Sequence, residues 1–124
     1  MKEKYQLISI VDTTLDSLPY QLVVLYASSG FSHQELVADL TKLLLSDMTI
    51  IVTGDFNFHE KDTNAVTNYL KSRKMKQMVK WPTHKQGGRI DHCYVTENAR
   101  VKITRYSPYY RKVHNYFDGK YYQC

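Results

Sequence analysis

The 124-residue chain is poor in the residues that build specialised scaffolds. Its two cysteines, Cys93 and Cys124, make neither a disulfide framework nor a zinc knuckle. So few thiols fit a reducing compartment, nuclear or cytoplasmic, better than a secreted setting. Five glycines and three prolines exclude collagen-like and linker compositions. No apolar stretch approaches the roughly 18 residues of a membrane span. The longest, Leu22 to Ala27, has six. The start, Met1-Lys2-Glu3-Lys4, runs into strand-forming residues and not into a signal-peptide core.

What is present suits an ordinary globular chain: 43% hydrophobic and 23% charged residues, with a formal charge of +5. The charge is split along the chain. Residues 1 to 62 carry four basic and nine acidic side chains, a net of −5. Residues 63 to 124 carry thirteen basic and three acidic, a net of +10. From Thr63 to Ile90 there are seven bases and no acid. Such asymmetry favours a polyanionic partner, through phosphate neutralisation and counterion release. Charge alone does not separate nucleic acid from a phosphorylated small molecule or an acidic membrane surface.

Pattern and punctuation predict mixed α and β in one unit. Lys4 to Val11 and Tyr20 to Ala27 read as strands of a hairpin around a turn-rich Asp12 to Pro19. Ser32-His33-Gln34-Glu35 matches a capping box, and Leu36, Val37, Leu40, Leu43 and Leu44 follow at helical spacing. Thr49 to Thr53 reads as a buried central strand ending at Gly54. Asp62 or Thr63 would cap a second helix bearing Val66, Tyr69 and Leu70. Lys76 to Trp81 reads as an extended segment halted by Pro82, and Arg100 to Tyr106 as a late strand. Arg89 to Thr96 alternates, with Ile90, His92 and Tyr94 on one face and Asp91, Cys93 and Val95 on the other. Asp91 and His92 therefore cannot form a close catalytic pair with each other.

Two features carry chemistry. One is an apolar strand running into Gly54-Asp55-Phe56-Asn57, which puts a carboxylate at a sheet rim with an amide two residues on. Alone, such a Gly-Asp pair is an ordinary turn. The other is Ile90-Asp91-His92, preceded by Pro82-Thr83-His84 and Gly87-Gly88. Alone, it is a surface carboxylate beside a half-buried histidine. In this order the two resemble the endonuclease/exonuclease/phosphatase superfamily, and within it the mobile-element, retrotransposon-type endonucleases. The resemblance spans about Tyr20 to Tyr110.

That resemblance implies an α+β fold, a layered α/β sandwich of which residues 1–124 form one partial domain, about the C-terminal half. It implies in-line phosphodiester hydrolysis of nucleic acid, DNA ahead of RNA, with Mg²⁺ or Mn²⁺. Asp55 would orient or deprotonate the attacking water, Asn57 would position phosphate and water, and Asp91 would hold a catalytic histidine from behind. The family closes on a tyrosine-rich strand and Ser-Asp-His. Here Tyr109-Tyr110 is followed by Arg111-Lys112-Val113-His114. His114 takes the histidine's place if one residue bulges, and a cation falls where the family has an acid. The family's metal-binding glutamate lies upstream of the part this chain resembles; Glu3 lacks the matching context. The expectation is therefore a partial domain with impaired activity and an apolar sheet face without its partner layer. A missing N-terminal half or self-association would cover that face.

The competing class is binding without catalysis. Six of eleven tyrosines, Tyr106, Tyr109, Tyr110, Tyr116, Tyr121 and Tyr122, interleave with Arg105, Arg111, Lys112 and Lys120. With Arg89, these cations would meet phosphates while tyrosines stack on bases. Tyrosines packing at a sheet edge explain the same composition.

Overall fold

A computed structural model of the chain describes residues 5–15, 18–46, 48–59, 61–81, 83, 89–97, 99, 102–103 and 121–122. Strands β1 (Tyr5–Leu15) and β2 (Leu18–Ala27) form the expected antiparallel hairpin. Pairing carries both strands into the turn-rich stretch, with an irregularity between Asp12 and Leu15 that absorbs one residue. Helix α1 (His33–Leu43) starts at Ser32, whose Oγ accepts from the Glu35 N–H at 3.2 Å. It leads to β3 (Thr49–Asp55), which lies parallel to β2.

Helix α2 (Ala65–Ser72) is capped by Asn64 and not by Asp62 or Thr63. The Asn64 side chain accepts from the Val66 and Thr67 N–H groups, and Thr67 Oγ1 accepts from the Asn64 N–H in return. A short β4 (Met75–Gln77) and β5 (Asp91–Thr96) complete a sheet of order β1-β2-β3-β5-β4. β6 (Lys102–Ile103) and β7 (Tyr121–Tyr122) pair in parallel as a separate two-stranded ribbon. The rest of the expected strand Arg100 to Tyr106 lies outside the described residues. The chain is thus a small α+β fold built on one mixed five-stranded sheet and two helices.

Strand alternation divides the core between the two faces of this sheet. Val23, Leu25, Ile50, Val52 and Tyr94 pack with Leu36 and Leu40 of α1 and Val66 and Leu70 of α2. Gln21 is buried on this side, yet it donates to Ser9 Oγ and to the Leu43 carbonyl, both at 3.0 Å, and accepts from the Leu45 N–H. That one side chain ties the end of α1 to the hairpin. On the opposite face a smaller cluster of Ile51, Cys93 and Val95 is covered by Met78, Val79 and Trp81. Beyond this cover Ile8, Ile10 and Tyr26 are exposed. No helix of the described residues is long and apolar enough to cross a membrane.

Candidate functional site

β3 runs two residues past its β-branched core, through Gly54 to Asp55. Gly54 has φ +133°, and a Cβ there would lie 2.0 Å from the Leu25 carbonyl oxygen. Only a residue without a side chain lets β3 stay against β2 at this point. Antiparallel pairing then sets Gly54 opposite His92 and Asp55 opposite Asp91. Parallel pairing on the other side sets Tyr26 beside Asp55. Paired residues share a face, so Tyr26, Asp55 and Asp91 form a row across β2, β3 and β5 on the open face.

The loop after β3 is fixed from several sides. The Phe56 N–H donates to the Ile90 carbonyl at 2.8 Å, extending the β3–β5 pairing. Asn57 adopts φ +54°, its N–H donates to Asp55 Oδ1 at 2.9 Å, and its side-chain nitrogen donates to the Ala27 carbonyl at 3.0 Å. The amide nitrogen therefore braces the loop against β2, while the backbone N–H orients the carboxylate. Thr83 Oγ1 accepts from the N–H groups of Ile90 and Asp91, at 3.0 and 3.1 Å. This hydroxyl holds the start of β5, and with it Asp91, in register opposite Asp55.

The opposite facing of Asp91 and His92 is as alternation requires. His92 is wholly buried on the helix side, stacked on Phe56 with ring centres 4.7 Å apart. Its Nε2 lies 2.9 Å from the Arg89 carbonyl and its Nδ1 lies 3.0 Å from the Tyr94 hydroxyl. A carbonyl can only accept, so Nε2 carries a proton, and in the neutral ring Nδ1 accepts from Tyr94. His92 thus anchors the segment from which Asp91 emerges.

Burial pushes the Asp55 carboxyl above its ordinary range, the Asp91 charge adds to that, and the Asn57 N–H opposes it. Two facing carboxylates are hard oxygen donors of the kind Mg²⁺ accepts alongside water and phosphate oxygens. Among the described residues no group of three His, Cys, Asp or Glu side chains could hold a metal.

The structure brings Asp55, Asn57 and Asp91 together. Arg89 is half-buried, and its Nη2 donates to the Lys80 carbonyl at 2.9 Å. His114, Arg105, Arg111 and Lys112 lie outside the described residues. Two residues escaped the sequence reading as parts of a site. Tyr26 is marked by the parity of β2, since it alternates with the buried Leu25 and Ala27. Thr83 sits within Pro82-Thr83-His84, but nothing local signals that its hydroxyl serves the amides seven and eight residues on.

The sequence matches no protein-family model, and no curated protein matches it significantly. The class that fold and site define is therefore structural: a small α+β domain with two carboxylates paired across neighbouring strands at one end of its open face.

Proposed function

We propose that this chain carries a phosphodiester-hydrolysing site of the endonuclease/exonuclease/phosphatase type, within a partial α/β sandwich of that superfamily, and acts on nucleic acid. The observation that supports this reading most is the pairing of Asp55 with Asp91 at the open end of β3 and β5. In this reading Asp55 orients the attacking water and accepts its proton. Its carboxyl, raised above the ordinary range, is a better base than a solvated aspartate. The Asn57 N–H holds that carboxylate in one orientation. Asp91 orients a histidine, for which His114 is the candidate by sequence, and the exposed Tyr26 offers a surface for a base. Mg²⁺ held by Asp55 and Asp91 would stabilise charge developing on the phosphate oxygens. With no third acidic or histidine ligand beside this pair among the described residues, and a cation near the family's terminal acidic position, turnover by this chain is weak or absent.

The test is nicking of supercoiled plasmid with Mg²⁺ or Mn²⁺, beside salt-dependent binding to oligonucleotides. Trace nicking above the level of Asp55→Ala, or metal-dependent binding lost in that variant, is the expected result. Wild type and Asp55→Ala alike in both assays would contradict the reading. A second reading, non-catalytic binding through the basic half, rests on the seven bases without an acid between Thr63 and Ile90. It expects affinity that falls steeply with salt and ignores metal and both aspartates.

A further inference from the structure

β1 is the outer strand of the sheet, eleven residues long, and among the described residues no strand pairs with its outer side. An outer strand presents every second N–H and C=O to whatever lies beyond it, and folded proteins guard such edges with lysine, proline or short strands. From Tyr5 to Val11 (YQLISIV) β1 has none of these guards; its charge, Asp12, and its irregularity come only after this stretch. Its side chains are open as well, with Ile8 59%, Ile10 48% and Val11 52% exposed. Beside it runs a groove lined by Leu7, Ser9, Asp39, Lys42 and Leu43.

We propose that β1 pairs antiparallel with β1 of a second copy of this chain, with the two-fold axis at Ser9. One register satisfies both faces of the strand. Centred on Ser9, it sets Ile8 opposite Ile10 of the second copy on the open face, and Leu7 opposite Val11 of the second copy on the helix face. Gln6 then meets Asp12. Moving the axis by one residue, to Ile8 or Ile10, slips the register by two and puts Ile10 opposite Gln6, or Ile8 opposite Asp12. A one-residue slip of register, half a residue of axis movement, sets apolar side chains on opposite faces. The irregularity after Asp12 ends the pairing where the apolar pattern ends.

Charge agrees with this geometry. The two α1 helices come to lie antiparallel on the same side of the joined sheet, so the acidic Asp39 and basic Lys42 that line each groove beside β1 run in opposite order along the seam. Association closes at two copies, because a two-fold contact uses up β1 on both. The other outer strand, β4, has three residues and offers little to a further copy. The pairing leaves the Asp55–Asp91 end of the sheet outside the contact, so it stands or falls independently of the proposed function.

The experiment is done on the full chain with Cys124→Ser, so that the remaining native thiol is the buried Cys93. In sedimentation, the mass should double across a rising concentration series. Ile10→Lys, with its circular dichroism unchanged, should remove that doubling. Ser9→Cys should form a disulfide-linked dimer under mild oxidation, since facing residues of antiparallel strands have Cα atoms about 4.5–5.5 Å apart, within disulfide reach. A chain that stays monomeric throughout overturns the proposal. So does a dimer that Val24→Cys links on the open face and Ser9→Cys does not, which would mean stacking of faces.

Discussion

The two faces of the central sheet are built to different standards. On the helix side Val23, Leu25, Val52 and Tyr94 are buried among side chains of α1 and α2, and even the polar Gln21 and His92 are hydrogen-bonded there. On the other side the cover stops at Met78, Val79 and Trp81, leaving Ile8, Ile10 and Tyr26 in solvent and Asp55 and Asp91 facing each other. Like charges directly opposite on paired strands cost stability. The helix face holds the fold together; the open face tolerates features that a core would reject.

Substitutions should separate the faces by size of effect. The largest is expected at the junction between them. Gly54→Ala forces a Cβ against the Leu25 carbonyl in a backbone conformation unsuited to alanine, and should cost about 4 kcal/mol or prevent folding. Urea unfolding measures it, and a cost within the ordinary surface range would show that β2 and β3 can part here. Next, Leu70→Ala on the helix side should cost about 2–5 kcal/mol. Ile8→Thr on the open side should change the stability of the monomer by no more than about 0.5 kcal/mol. Similar losses at the two positions would erase the distinction. Tyr94→Phe removes the hydroxyl bonded to His92 Nδ1 and should cost about 1–2 kcal/mol.

One expected effect has the opposite sign. Because the Asp55 carboxyl is raised in the folded state, the fold holds a proton there that the unfolded chain has released. Stability therefore falls as pH rises from the ordinary aspartate range through the raised value, and the penalty is full above it. Asp55→Asn keeps an oxygen for the Asn57 N–H and should stabilise the chain at neutral pH by at most about 1 kcal/mol, since much of the carboxyl meets solvent. The gain should vanish in acid. A loss of stability at neutral pH would mean that the carboxylate supports the fold.

How much of this was legible in the sequence follows the range of the forces involved. Local signals were clear: Ser32 caps α1, and the alternation of Arg89 to Thr96 correctly sends His92 inward and Asp91 to the other face. Boundaries moved where pairing overruled local preference. The hairpin grew into its turn-rich stretch, β3 continued through Gly54, and Asn64, whose side chain reaches two amides, capped α2 in place of Asp62 or Thr63. The bringing together of Asp55 and Asp91 depends on residues 36 apart in the chain, so no local pattern could give their register. The motif order suggested a shared site, but the pairing that makes them neighbours comes from β3 and β5 and from the Thr83 hydroxyl.

The most direct test of the paired-carboxylate site is a Mn²⁺ titration followed by amide NMR on wild type and Asp55→Asn. The expected result is selective broadening of residues 54–57 and 90–92, lost in Asp55→Asn while the remaining spectrum stays unchanged. Broadening spread over the surface, or unchanged in Asp55→Asn, would contradict the assignment of Asp55 and Asp91 to one metal-accepting site.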